Sequence, residues 1–240
     1  MVRLLQHRIS GPEACPYLPG RDSTTETMLM TSVSAAELER LLELGFRRFG
    51  PLYFRPVCPS CSECVPVRVP VAGFAPSKNL RRVLSRAREV RVEIAAPRVN
   101  DERLALYRRW HAGREGERGW TPDTLDPQSY EMQFAFPHPA AREYSYWLGN
   151  ALVAIGIVDD MPGALSAVYC YYEPAHAALS LGTFNVLTAL ERARAAGKRY
   201  VYLGYRVEDC ASLRYKGRFL PQERLAGRPE PGQAPEWILS

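Results

Sequence analysis

The chain has no long apolar run. Its longest stretches of that kind, such as ALVAIGIV at 151–158, fall well short of the roughly 20 residues a membrane-crossing helix needs, so no span is predicted. The opening MVRLLQHRISGPEAC has neither an apolar run of signal-peptide length nor a small-residue cleavage site, which predicts a cytoplasmic protein with reduced cysteines. Histidine is scarce. His7, His111, His138 and His176 are scattered at no catalytic spacing, and each reads as a surface or packing residue.

The 240 residues do have 46% hydrophobic content, enough to bury the core of one large domain or two small ones. Charge is unevenly spread. Residues 1–95 carry 14 Lys/Arg against 9 Asp/Glu, while residues 96–240 carry 17 of each. The densest basic piece is SKNLRRVLSRAREVR at 77–91, where Lys78, Arg81, Arg82, Arg86, Arg88 and Arg91 face only Glu89. As a helix it places Leu80, Val83, Leu84 and Ala87 on one face and the cations on the other. Such a stripe is either a solvated surface or a track for nucleic-acid phosphates.

Ser34 and Glu37 form a capping-box pattern opening a helix over SAAELERLLELGFRR, with Gly50-Pro51 as its stop. PLYFRPV and CVPVRVPV follow as strands whose prolines suggest edge or irregular positions. RVEIAA reads as a strand, and Asn100 caps a helix through Trp110. Pro97 and the change of charge near residue 95 divide the chain into a basic, cysteine-containing N-terminal domain (1–95) and a C-terminal domain (96–240).

The second part has another rhythm. YSYWLGN and ALVAIGIVDD flank a Gly149-Asn150 turn, SAVYCYYEP is a third strand, LGTFNVLTALERARAAG a helix stopped by Gly197, and RYVYLGY a fourth strand. Three meander strands, a crossover helix and a parallel strand predict an α+β chain whose C-terminal half is a mixed sheet of the acyl N-acyltransferase (GNAT-like) type. In coenzyme A enzymes of that type, a Gln/Arg-x-x-Gly-x-Gly/Ala loop precedes the crossover helix. Here the turn is SLGTFN, with a single glycine.

The segments CPYLPGR (15–21), FRRFGPLYFRPVCPSCSECVPVRV (46–69), SLGTFNVLTALERARAAGKRYVYLGY (180–205) and RYKGRFLP (214–221) together resemble the bacterial aspartate/glutamate leucyltransferases, relatives of the eukaryotic arginyl-tRNA protein transferases. The likeness runs in order along nearly the whole chain; Gly20 and Arg206 depart from the family pattern. The resemblance implies transfer of leucine from leucyl-tRNA, the cosubstrate, to proteins beginning with Asp or Glu, creating a degradation signal of the N-degron (N-end rule) pathway. It also implies partners that are tRNA and protein, with no membrane. Two other functions compete with it: a coenzyme A-dependent N-acetyltransferase, and a non-catalytic zinc-containing nucleic-acid-binding module.

An aminoacyl ester is already activated, so the reaction requires no cofactor. It needs positioned reactants, oxyanion donors and a path for protons. Backbone amides of Gly182, Thr183 and Phe184 at the start of the crossover helix are candidate oxyanion donors, and Tyr205 is a candidate hydrogen-bonding partner of the substrate. Arg214, Lys216 and Arg218 are candidates for the acceptor's carboxylate. Arg47, Arg48 and Arg55 are assigned to an acidic partner, whether tRNA or the acceptor terminus, and Arg81 and Arg82 to tRNA. Cys58, Cys61 and Cys64 at CxxCxxC spacing, with Cys15, make either a zinc or iron-sulfur site or a metal-free thiol cluster.

Overall fold

The computed structural model describes residues 2–118 and 125–240. Strands β1 (Arg3–Ala14), β2 (Asp22–Thr31), β3 (Arg47–Phe49) and β4 (Leu52–Pro56) make a four-stranded sheet in the order β1-β2-β4-β3. Helix α1 (Ala35–Glu43) joins its halves. Ser34 and Glu37 close the expected capping box. The helix ends earlier than the sequence suggests, because Gly45 takes a left-handed φ of +84° and turns the chain into β3. Arg47 and Arg48, expected on the helix, therefore lie on a strand and point to opposite faces.

A second sheet has eight strands. It gathers β5 (Val65–Pro70), β6 (Val90–Ala95), β7 (Ala141–Leu148), β8 (Ala151–Asp160), β9 (Ala164–Tyr172), β10 (Tyr200–Arg206), β11 (Glu223–Leu225) and β12 (Trp237–Leu239) in the order β12-β11-β5-β10-β9-β8-β7-β6. Strands from both sides of residue 95 thus share it. β5 lies inside the sheet despite its prolines, since β11 pairs only with Val67 and Arg68 and makes no demand on Pro66 or Pro70. Gly149-Asn150 makes the expected hairpin turn between β7 and β8, with Leu148 opposite Ala151.

Helices cover both faces. Helix α2 (Lys78–Arg86), capped by Ser77, and helix α5 (Leu181–Ala195) pack Leu80, Val83, Val186, Leu187 and Leu190 against one face. Helices α3 (Asp101–Arg118) and α4 (Pro127–Tyr130) bring Leu104, Tyr107, Trp110 and Tyr130 to the other. β8 is buried from Leu152 to Val158, the continuous apolar run expected of a strand covered on both sides. α3 extends well past Trp110, with Asn100 Oδ1 accepting from the Arg103 amide at 3.0 Å as its cap. Among the described residues no helix is long and apolar enough to cross a membrane. The fold is mixed α+β.

Candidate active site

The site begins where two parallel strands part. β9 and β10 pair only over Ala164–Ser166 and Tyr200–Tyr202. Beyond these residues β9 stays with β8, whereas β10 slips register between Tyr202 and Gly204 and continues along β5. Gly204 makes the bend at φ +73°, and a Cβ there would lie 2.6 Å from Arg47 Nε. A cleft of about 530 Å³ opens between the separated C-terminal strand ends, the place where open sheets commonly bind ligands.

Its walls are largely aromatic, with polar groups set among them. Tyr17, Phe49, Phe54, Trp110, Tyr169, Tyr172 and Tyr215 line it, with Arg47, Arg114 and Lys216 among them. Arg114 donates to the Tyr172 hydroxyl at 2.6 Å. Arg47 donates to the Val168 carbonyl at 2.9 Å and lies over the Tyr205 ring, 5.5 Å from its centroid. No carboxylate pairs with it among the described residues. Lys216 is 6% exposed, and its Nζ donates to the Tyr205 carbonyl at 2.8 Å. Burial, and secondarily Arg47, pull its ammonium well below the usual lysine range. The cleft thus pairs a fixed cation with an amine inclined to be neutral, an arrangement suited to holding a carboxylate and taking up a proton.

The crossover helix α5 starts at the mouth of this cleft. Ser180 has φ +57°, and its carbonyl accepts the amides of Thr183 at 2.9 Å and Phe184 at 3.0 Å. Those two amides are therefore committed within the turn, which leaves Gly182 as the better-placed oxyanion donor of the three. The Phe184 ring is buried against Tyr146. Ser180 makes no side-chain cap; its hydroxyl accepts from Arg86 at 3.2 Å.

The other expected residues separate by burial and partner. Tyr205 is 1% exposed, and its hydroxyl is held by the carbonyls of Gly45 at 3.0 Å and Phe54 at 3.1 Å. Burial raises it above the usual phenol range, so it acts as scaffold, its ring under Arg47 and its carbonyl on Lys216. Arg48 lies inside the protein in an ion pair with Asp159, and it also donates to the Gly50 carbonyl at 2.9 Å. Arg55 is held by Glu26 at 2.6 Å, the Pro229 carbonyl at 2.7 Å and Glu230 at 3.3 Å. Neither guanidinium is available to a substrate. Arg81 turns to the Pro76 carbonyl at 2.7 Å. Arg82, Arg214 and Arg218 are exposed, and Arg82 and Arg218 flank a second cleft of about 780 Å³ between α2 and the start of α5. Sequence reasoning missed Trp110 and Arg114. Their i, i+4 spacing on α3 was the available signal.

Cys15, Cys58, Cys61 and Cys64 lie near one another. All six cysteines are free, and among the described residues no three His, Cys, Asp or Glu side chains are placed to hold a metal ion. Cys58 Sγ is engaged by the main chain of Thr24, whose amide donates to it at 3.3 Å. Cys61 Sγ accepts from Arg21 at 3.6 Å. Cys15 and Cys64 pack with Tyr17 against Leu18, Val207 and Cys210. Burial, reinforced by Cys15, Cys58 and Cys61, pushes the Cys64 thiol up to about 12. Cys64 thus lies close to the three other thiols named from the sequence.

Comparison with known proteins gives a consistent result. The family model described as "Arginine-tRNA-protein transferase, C terminus" matches residues 102–226, and "Arginine-tRNA-protein transferase, N terminus" matches 13–82. An aspartate/glutamate leucyltransferase from Helicobacter hepaticus is 32% identical, covering 96% of each chain. One from Methylobacterium sp. is 37% identical, covering 92% of this chain and 93% of its own. Among solved structures, the C-terminal domain of a putative lysylphosphatidylglycerol synthetase from Agrobacterium fabrum aligns with a TM-score of 0.45 at 15% identity, covering 71% of this chain and 51% of that one.

Proposed function

Because this chain belongs to the arginine-tRNA-protein transferase family, we propose that it transfers leucine from leucyl-tRNA to proteins whose N-terminal residue is Asp or Glu. The observation that carries this reading is Arg47, a guanidinium in an aromatic cleft with no acidic partner among the described residues. A bidentate guanidinium matches the acceptor's side-chain carboxylate. The aromatic walls accommodate a leucyl side chain and the stacked terminal base of a tRNA.

The chemistry follows from these groups. The acceptor's α-amine, with an unperturbed pKa of about 7.7–8.0, attacks the ester carbon in its neutral form. A carbon–nitrogen bond forms, and the carbonyl oxygen becomes an oxyanion facing the Gly182 amide at the positive end of α5. Lys216 takes the proton that the new ammonium sheds. The tetrahedral centre then collapses with cleavage of the ester carbon–oxygen bond, and Lys216 returns the proton to the departing ribose oxygen. Arg47 holds the acceptor throughout, so binding energy is used to set attack geometry.

We read the parted β9 and β10 and the crossover helix between them as the GNAT-like arrangement, and the product as a cytoplasmic N-degron. Coenzyme A-dependent acetylation is disfavoured because the turn before α5, SLGTFN, has a single glycine in place of the Gln/Arg-x-x-Gly-x-Gly/Ala pattern. A zinc-containing binding module is disfavoured by the lack of a ligand set among the described residues. The test is incubation of purified protein with leucyl-tRNA, arginyl-tRNA or acetyl-coenzyme A and peptides beginning with Asp, Glu, Lys or Arg. Leucine on the Asp and Glu peptides is expected; acetylation without any tRNA requirement overturns the reading.

A further inference from the structure

The second cleft borders the first. Ser180 and Thr183 belong to the walls of both, so a ligand lying across the start of α5 passes from one to the other. Arg82 and Arg86 stand one helical turn apart on the same face of α2, and Arg218 faces them from the 3-10 turn Arg214–Arg218. Among the described residues no Asp or Glu lines this cleft. The hydrogen-bond partners of Arg82 and Arg86 are neutral: Asn79 Oδ1 at 3.4 Å and Ser180 Oγ at 3.2 Å.

The rest of the basic run behaves differently. Arg88 pairs with Glu89, and Arg91 with Glu93. Arg81 turns to the Pro76 carbonyl and does not line the cleft. The fold therefore pairs the C-terminal end of the stripe with carboxylates and leaves Lys78, Arg81, Arg82 and Arg86 without one among the described residues; of these, Arg82 and Arg86 converge with Arg218 on one open space. Three like charges around a cavity repel until an anion enters, and a chain of phosphates is the anion whose charges repeat along such a groove.

We infer that this cleft seats the phosphodiesters of the single-stranded acceptor end of the tRNA, with its esterified terminal nucleotide in the neighbouring cleft of Arg47 and Lys216. The inference rests on the leucyl-tRNA reading above and adds a place for the backbone. Arg218 becomes a phosphate contact, in place of its expected role on the acceptor's carboxylate. Arg86 joins it, and Arg81 drops out.

The experiment compares wild type, Arg82→Gln/Arg86→Gln, Arg218→Gln and Arg88→Gln. Deacylated tRNA binding is measured across a salt series, together with KM for leucyl-tRNA and for an Asp peptide. The replaced side chains are exposed, and the buried face of α2 (Leu80, Val83) is untouched, so thermal unfolding should be unchanged. The double variant is expected to bind tRNA roughly tenfold or more weakly, and its slope of log affinity against log salt should fall by about 0.7 for each lost contact. Arg218→Gln should lose one contact, while Arg88→Gln and the Asp-peptide KM should not move. Unchanged tRNA affinity and slope in the double variant, with an active wild type, overturn the groove and leave the leucyl-transfer reading standing. A wild type that neither binds tRNA nor transfers leucine overturns both.

Discussion

Arginines in the interior and arginines at the two clefts follow opposite rules. Beneath the large sheet, Arg103 is fully buried and meets Glu143 through Nη2 at 2.6 Å, with Ser145 at 3.2 Å and Asn100 at 3.2 Å completing its bonds. Arg48 has Asp159, and Arg55 has Glu26. At the clefts, Arg47, Arg82, Arg86 and Arg218 have no carboxylate among the described residues. Burying a charge demands a partner, so the interior pairs belong to stability. A cation left without one beside a cavity belongs to a ligand that supplies it.

The comparison is broken most severely from the interior side. Arg103→Met strands the Glu143 carboxylate and should cost about 3–5 kcal/mol in urea unfolding. Arg103→Met/Glu143→Leu should recover most of that loss, and the specific activity of the remaining folded protein should be unchanged in both.

On the cleft side, Lys216→Met removes the proposed proton acceptor and should lower kcat on the order of 100-fold. The sign with pH is definite. In the proposed mechanism Lys216 works as the neutral amine, so wild-type activity should fall as pH drops through its depressed pKa. The Met variant should lack that acid limb, and Lys216→Arg should not restore it, because a guanidinium stays charged.

Gly204→Ala sharpens the contrast more gently. A methyl group there is strained at φ +73° by about 1–2 kcal/mol. It also meets Arg47 Nε. Acidic acceptors should be used less well, with a modest fall in Tm. The smallest effect belongs to the exposed pair of Arg91 and Glu93: Arg91→Ala should change stability by less than about 0.5 kcal/mol.

Local signals were enough to read much of this architecture. The capping box at Ser34, the apolar face of α2, the Gly149-Asn150 turn and the strand–helix–strand order from β7 to β10 each lie within a short window. The β1–β2 hairpin was not legible, since β1 is almost wholly exposed, β2 only half-buried, and their pairing depends on each other. The site was half legible for the same reason. Arg47 and Arg48 are neighbours of identical chemistry, yet strand alternation sends one to the cleft and the other to Asp159, 111 residues away. Arg55 finds Glu230 at a separation of 175 residues. Lys216 was named from its motif, while its depressed pKa comes from burial that only the folded chain supplies.

The central claim is that Arg47 reads the acceptor's carboxylate, and the most direct measurement is kcat/KM for peptides beginning with Asp, Glu, Asn and Gln, with leucyl-tRNA as donor, in wild type and Arg47→Gln. A charge-assisted hydrogen bond of about 1.5–3 kcal/mol predicts a preference of roughly 10- to 100-fold for the acidic peptides in wild type, collapsing toward unity in the variant while Tm stays close to that of wild type. An acidic preference that survives intact in folded Arg47→Gln contradicts the account.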